Sequence, residues 1–346
     1  MAIISRKKIP YPIDEHLRSY LEQFSRSIHL PVNYGDLLRY DNSIPQYDSA
    51  GNDTLWETVF YPQSDMEGVQ DALKKVYAIM KASGDLSVME HLFIDRVDLC
   101  VYGNTQPFRV RIVNRINDNF DYFYIKHADA SRIYGLELEH LLSPNKIDYL
   151  VNHDTLIEEH IVGIPAEQFI KTRMNDPHLN EIRLAKEFVK FNERCFIRLL
   201  GDMHSSNFVI DITPDFEEIS YRLRPIDFDQ QSYEGRRAIY MPQYFKQNNP
   251  IIALGLKHMT PETVRQYQRE ERTLMFNRIK VERERIDLLL SAMKQSRIST
   301  DENVVSLGQE LEQFYKEPEF LNCTNMGSIV ELSLQMLERK PNLYHE

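Results

Sequence analysis

The stretch RLLGDMHSSNFVIDI, residues 198–212, places a polar segment, GDMHSSN, between two apolar runs. A second segment of the same kind, RPIDFDQQ, occupies residues 224–231. In each, an aspartate lies next to a short apolar run with the length and composition of a buried strand. When neighbouring strands end side by side, the polar residues that follow them meet in one place. The two segments therefore predict a polar site built from two loops, with an aspartate in each.

The spacing of the polar side chains suits a metal ion. Asp202 and Asn207 stand in the frame D-x-x-x-x-N, so a strand ending at Leu200 and a loop turning back at Asn207 would direct both side chains into one space. Asp227 follows the second strand. A carboxylate with an amide oxygen suits Mg²⁺, which takes few protein ligands, and a separate carboxylate can orient a hydroxyl nucleophile. This is the layout of kinase-type phosphoryl transfer.

Phosphoryl transfer also needs a cation on the nucleotide phosphates, and we expect Lys126 to supply it. Lys126 lies at the end of the third β-rich run, FDYFYIKH, residues 120–127, beside apolar residues. A buried ammonium there needs a carboxylate partner. The helix after this run offers Glu137 and Glu139. Glu137 shares a helical face with Ile133 and Leu141 and should point inward. Glu137 is therefore the expected partner of Lys126, with Glu139 as the alternative.

The composition of the 346-residue chain excludes some classes of function. The formal net charge is −11, from 41 Lys and Arg against 52 Asp and Glu. This balance argues against nucleic acid as a partner, because phosphate contacts need a basic face. No apolar run reaches the roughly 20 residues that a membrane span needs, so no membrane partner is expected. Three scattered cysteines, and a start without an apolar signal region, predict a cytoplasmic protein.

The pattern along the chain predicts an α+β protein in three parts. Residues 1–92 have the pattern of a helical and irregular extension. Residues 93–162 carry five β-rich runs with a helix after the third, which predicts a five-stranded antiparallel sheet with one inserted helix. Residues 163–346 are mainly helical and include both aspartate-containing segments. Thr260 and Pro261 mark the start of a long charged helix that runs towards Arg297.

Taken in order, these motifs resemble the protein-kinase-like superfamily, and within it aminoglycoside phosphotransferases and choline-kinase-like small-molecule kinases. Those enzymes carry a motif like H-G-D-x-H-x-x-N followed by I-D-[FW]-[DE]. Here LGDMHSSN, residues 200–207, matches it except that Leu200 replaces the first His, and IDFD occupies residues 226–229. The resemblance covers about residues 95–235. It implies a two-lobed fold with ATP between the lobes.

The resemblance also implies roles for particular residues. Asp202 matches the catalytic base, and Asn207 and Asp227 match the Mg²⁺ ligands. Asp229 either assists the metal or caps the local turn. Lys126 matches the lysine that holds the α- and β-phosphates.

Two further segments match the nucleotide-binding parts of the family. LIEEHIVG, residues 156–163, resembles the hinge strand, so the backbone groups of Glu159, His160 and Ile161 are expected to bind adenine. The phosphate-covering loop corresponds to YGNTQPF, residues 102–108, in which Gly103 is the only glycine. The glycine triplet G-x-G-x-x-G of protein kinases is absent there.

The expected function is that of an ATP- and Mg²⁺-dependent phosphotransferase acting on a hydroxyl of a small molecule. One alternative is a pseudokinase, a nucleotide- or partner-binding module without transfer, which the missing glycine triplet and the extension 1–92 favour. The other is a metallophosphoesterase, because GDMHSS contains D-x-H. That class needs further ligand motifs, and the later histidines, His258 and His345, lie in none. The sequence leaves the acceptor and the oligomeric state open.

Overall fold

The computed structural model describes residues 8–102, 105–214 and 219–340. They divide into two compact units. The unit that we call the sheet unit contains Arg18–Asp129 and Asp148–His160. The helical unit contains the chain up to Leu17, Ala130–Ile147 and the chain from Ile161 onwards. Helix α1 (Glu15–Gln23) includes the boundary at Leu17.

The sheet unit is built on one antiparallel sheet of seven strands, in the order β1-β2-β3-β4-β5-β7-β6. Its elements in chain order are α2 (Tyr34–Leu37), β1 (Asn42–Tyr47), β2 (Asp53–Phe60), α3 (Gln63–Lys81), β3 (Leu92–Cys100), β4 (Phe108–Asn114), β5 (Phe120–His127), β6 (Tyr149–Asn152) and β7 (Thr155–Glu159). The five runs predicted as strands are β3 to β7. One face of the sheet packs on α3, where Leu73 and Val76 join Val110, Ile112 and Phe123 in a common core.

The predicted strand count of five is wrong, because the chain before residue 92 adds the hairpin β1-β2. The side chain of Asp48 forms the turn: its Oδ1 accepts hydrogen bonds from the backbone N–H groups of Ala50 and Asn52. Gly51 adopts the positive φ of 81° that this turn requires. Pro45 does not prevent strand formation, because β1 is an edge strand and proline is tolerated there.

The division of the chain also departs from the predicted boundaries at 92 and 162. Strands β1 and β2, which lie before residue 92, belong to the same sheet as β3. The helix expected within the sheet region, α4 (Ala130–Leu142), belongs to the helical unit instead. Every residue of α4 except His140 is buried, so this helix is a core element of the helical unit. The inward orientation expected for Glu137 is found, since its side chain is fully buried.

The helical unit combines eight helices with a small antiparallel sheet, in the order β10-β9-β8, within the described residues. After α4 its elements are β8 (Ile164–Pro165), α5 (Ala166–Arg173), α6 (Glu181–Ile197), β9 (Phe208–Pro214), β10 (Ile219–Pro225), α7 (Asn249–His258), α8 (Pro261–Val281), α9 (Arg283–Gln295), α10 (Asp301–Tyr315) and α11 (Met326–Arg339). The predicted start at Thr260 is confirmed, and its side chain caps α8. The long helix expected from there ends at Val281, and α9 follows it. None of the helices in the described ranges is both long and apolar enough to cross a membrane.

Two glycines on helices of this unit give a stability prediction. A Cβ on Gly327 of α11 would lie 2.5 Å from the backbone nitrogen of Lys294 in α9, whereas a Cβ on Gly255 of α7 would have no atom within 4 Å. We expect Gly327→Ala to destabilise the protein by about 1–3 kcal/mol through overpacking. Gly255→Ala should stabilise it by about 0.5–1 kcal/mol, because alanine loses less backbone entropy in a helix. Urea denaturation measures both, and changes of the same sign would contradict the close packing of α11 on α9.

Candidate functional site

Two loops, 201–207 and 226–229, lie at one end of the β9-β10 hairpin in the helical unit. Phe208 at the start of β9 pairs with Pro225 at the end of β10, so the residues just outside the hairpin face each other. The backbone N–H of Ile226 donates to the carbonyl of Asn207 at 2.9 Å. The two segments that the sequence marked are therefore adjacent in space. Loop 201–207 was expected to follow a strand that ends at Leu200. It follows helix α6 instead, and Leu200 forms only an isolated bridge with Gln231.

Loop 201–207 holds Asp202 in a fixed and unusual backbone conformation. Its φ of 62° lies in the left-handed region, which costs a non-glycine residue about 1–3 kcal/mol. Three hydrogen bonds hold it there. Its N–H donates to the carbonyl of Ile239 at 3.0 Å, and its carbonyl accepts from the N–H of His204 and from Nδ2 of Asn207, both at 2.9 Å. The side chain of Asn207 thus supports the loop that carries Asp202.

The carboxyl group of Asp202 ionises less readily than that of an exposed aspartate. Burial, followed by repulsion from Asp227, Glu234 and Asp229, raises its pKa from 3.8 to about 7. A pKa near neutrality suits a general base, because such a group is partly deprotonated at working pH and still binds a proton well. Asp227 and Asp229 act on this pKa through their charge, which shows that the two aspartate loops share one electrostatic environment.

His204 supports loop 201–207 from within. Its Nδ1 accepts a hydrogen bond from the N–H of Ser206 at 3.3 Å, and burial lowers the pKa of the imidazole. Both observations favour the neutral ring. The hydroxyl of Ser206 donates to Glu167 of α5 at 2.9 Å, which ties the loop to the helix. His204 therefore braces the loop.

A buried arginine that sequence analysis did not single out lies between the carboxylates of the second loop. Nη1 of Arg132, on α4, is 2.9 Å from Oδ1 of Asp227 and 2.7 Å from Oδ1 of Asp229, and the arginine side chain is 2% exposed. Oδ1 of Asp227 also accepts the N–H of Asp229 at 3.1 Å. The side chain that caps this turn is thus Asp227, where the sequence offered Asp229. The only signal for Arg132 was a single basic residue, with no other Lys or Arg, in a largely apolar helix.

The chemistry of these donors can be compared with the needs of Mg²⁺. Carboxylate and amide oxygens from Asp227 and Asn207 are the hard ligands that this ion prefers, so the residues fit in kind. Arg132 nevertheless binds one oxygen of Asp227 and one of Asp229. No group of three His, Cys, Asp or Glu side chains within residues 8–102, 105–214 and 219–340 is placed to hold a metal.

Lys126 has a different partner from the one expected. Its Nζ lies 2.7 Å from Oε2 of Glu158, and both side chains are buried in the sheet unit. Lys126 pairs with Leu156 across β5 and β7, so Glu158 is its diagonal neighbour on the same face of the sheet. Glu137 and Glu139, the two candidates from the sequence, instead bind Arg285 and Arg198 of the helical unit. The pairing follows the register of β5 and β7, whereas the choice of Glu137 rested on the faces of a helix.

Two of the three residues expected to bind adenine, Glu159 and His160, are bonded to other groups of the sheet unit. The N–H of Glu159 donates to the carbonyl of Asp148 at 3.1 Å, and its carboxylate binds Lys81. Nδ1 of His160 is 3.2 Å from the hydroxyl of Tyr124. Ile161 is buried in the helical unit. Gly103 lies outside the described residues.

Comparison with known proteins gives a weak structural similarity. No protein-family model matches the chain, and no curated protein matches it. A solved structure of titin kinase and its flanking domains overlaps 72% of this chain and 54% of its own, about half its length, with 14% identity and a TM-score of 0.28. The autoinhibited serine kinase domain of titin overlaps 74% of this chain and 87% of its own, with 12% identity and a TM-score of 0.26. The aminoglycoside-phosphotransferase subtype receives no support.

Proposed function

We propose that the protein transfers the γ-phosphoryl group of ATP to a hydroxyl of a small molecule, with Asp202 as the general base. The observation that carries this proposal is the carboxylate of Asp202, whose pKa is raised to about 7 on a loop held by three hydrogen bonds. A rigid base with a pKa near neutrality is what proton transfer from a hydroxyl needs. The choice of a small molecule as the acceptor rests on the form of the motif GDMHSSN, which resembles that of small-molecule kinases.

In this reaction Asp202 accepts the proton of the acceptor hydroxyl while the hydroxyl oxygen bonds to the γ-phosphorus and the bond to ADP breaks. Asn207 and Asp227 would hold Mg²⁺, which supplies neutralisation of phosphate charge when it is bound. Lys126, which is paired with Glu158, matches by its place in the sequence the lysine that holds nucleotide phosphates in the family that the motifs resemble. The side chain of Asn207 also keeps the Asp202 loop in its conformation.

The second candidate function is a pseudokinase that binds nucleotide or a partner without transfer. The observation that favours it is the position of Arg132, whose guanidinium binds Asp227 and Asp229 in place of an inorganic cation. The guanidinium of Arg132 neutralises the two carboxylates. They then need no metal ion, and without the ion nucleotide phosphates are not aligned for transfer.

Release of ADP from ATP tests the two functions against each other. A phosphotransferase should release ADP only when Mg²⁺ and a hydroxyl acceptor, screened among sugars, amino alcohols and nucleosides, are both present. Removal of the metal with EDTA should abolish the release, and excess Mg²⁺ should restore it, because phosphate charge is neutralised only with the ion bound. ATP binding in a thermal-shift assay, with no ADP release for any acceptor, would contradict the phosphotransferase and support the pseudokinase.

A further inference from the structure

The ion pairs of Arg132 join two carboxylates at one nitrogen. Nη1 binds both Asp227 and Asp229, which are two residues apart on the same loop. The carboxylates are 35% and 19% exposed, while the arginine is 2% exposed. Solvent therefore reaches both acids, whereas the guanidinium is shielded from it.

The energetics of this arrangement favour a cation at that position. Two carboxylates close enough to bind one nitrogen repel each other strongly in a partly buried site. A guanidinium stays protonated in proteins, so Arg132 neutralises this repulsion at all ordinary pH values. A metal ion would neutralise the same two carboxylates in the same way. The metal ion and the guanidinium of Arg132 are therefore alternative cations for this position.

The backbone around Arg132 holds the guanidinium in place. Nη2 of Arg132 donates to the carbonyl of Ile226 at 3.4 Å, and the hydroxyl of the preceding residue, Ser131, donates to the carbonyl of Gln231. Helix α4 is thus bonded to both ends of the segment that contains Asp227 and Asp229. The arginine is part of a buried structural contact and not a mobile surface side chain.

We propose that Arg132 is the resident counter-cation of Asp227 and Asp229 and competes with a divalent cation for Asp227. The inference rests on the proposed function in one respect, the choice of Asp227 as the metal ligand. Divalent-ion binding then requires the guanidinium to leave Asp227, so the free energy of the arginine ion pairs weakens the observed affinity for the metal. The metal-loaded and metal-free forms differ in the position of Arg132.

Binding of Mn²⁺ to the full chain, without nucleotide or acceptor, tests the competition. Electron paramagnetic resonance measures free Mn²⁺ during the titration. We expect Arg132→Gln to bind Mn²⁺ at least tenfold more tightly than the wild type, because the carboxylates lose their internal cation. The added substitution Asp227→Asn should remove the gain. Unchanged or weaker Mn²⁺ binding in Arg132→Gln would overturn the proposal.

Arg272→Gln is the matched control. Arg272 of α8 is also buried in the helical unit, and its Nη1 lies 3.0 Å from a single carboxylate, that of Glu193. This variant should leave the Mn²⁺ affinity at the wild-type value, and an equal gain there would refute a specific role for Arg132. If Arg132→Gln does not fold, Arg132→Met replaces it, since it also removes the charge and keeps a flexible unbranched side chain. Tighter Mn²⁺ binding is expected for that variant too, and an unchanged affinity would overturn the proposal.

The outcome is separable from that of the proposed function. Mn²⁺ titration requires no phosphate transfer, so a protein that releases no ADP can still show the competition. Conversely, a phosphotransferase whose Mn²⁺ affinity does not respond to Arg132 retains its activity and loses only the inference about the arginine.

Discussion

Asp202→Asn is expected to lower the rate of phosphate transfer by about 10²- to 10⁴-fold, the usual contribution of a general base. Asparagine keeps the size of the side chain and the left-handed conformation, which it tolerates better than most residues. The loop bonds made by the backbone of residue 202 therefore persist. What is lost is the ability to accept the proton of the hydroxyl. Rates of ADP release at saturating ATP and acceptor measure the effect.

The same substitution is expected to stabilise the folded protein at neutral pH. Burial and three neighbouring acids raise the pKa of Asp202 to about 7 from 3.8, so folding favours the protonated acid and disfavours the carboxylate. Between these values the folded chain holds more protons than the unfolded chain, and stability falls as the pH rises. Asparagine has no such cost, so the variant should gain about 1–2 kcal/mol above pH 7. The gain should disappear below about pH 4, where both chains are protonated.

A paired measurement of activity and urea stability, the latter in metal-free buffer, separates a catalytic role from a structural one. Asp211→Asn, in strand β9 of the same hairpin, is the matched control and should change neither quantity. A loss of activity with a loss of stability would indicate that Asp202 supports the fold. Full activity in Asp202→Asn would exclude it as the base.

Lys126→Met is expected to cost about 3–5 kcal/mol of stability, the usual effect of removing one partner of a buried ion pair. The side chains of Lys126 and Glu158 are only 9% and 7% exposed, so neither charge is well solvated once the other is gone. Glu158→Gln should cost a similar amount. The double variant should cost clearly less than the sum, because it removes both buried charges together.

Urea denaturation of the four proteins in this cycle gives the coupling free energy between Lys126 and Glu158. The control cycle uses Lys81 and Glu159, a lysine–glutamate pair in the same sheet unit that is more exposed to solvent. Its coupling should be clearly smaller than that of Lys126 and Glu158, because its side chains are 30% and 13% exposed and water screens their charges better. A coupling near zero for Lys126 and Glu158 would mean that Lys126 takes its charge partner elsewhere, and the assignment of Glu158 would fail.

Local patterns were sufficient for much of the secondary structure. The alternation and β-branched content of the runs that became β3, β4 and β5 predicted strands, and Thr260 with Pro261 predicted the start of α8, since these signals arise within a few residues. The hairpin β1-β2 was missed, because the Asp and Asn residues around it have the composition of an irregular segment. Strand β2 pairs with β3. This pairing with a neighbouring strand stabilises the hairpin where local composition does not favour strands.

The sequence by itself determined that two aspartate-containing loops flank a short hairpin, because GDMHSSN and IDFD directly adjoin the strands that pair. The tertiary structure alone decided which charges meet. Arg132 and Asp227 are 95 residues apart, and Lys126 found Glu158 through strand register. Such partners lie far beyond the range of helical or strand periodicity. The near-neutral pKa of Asp202 is also a tertiary property, since it arises from burial and from acids that folding brings together.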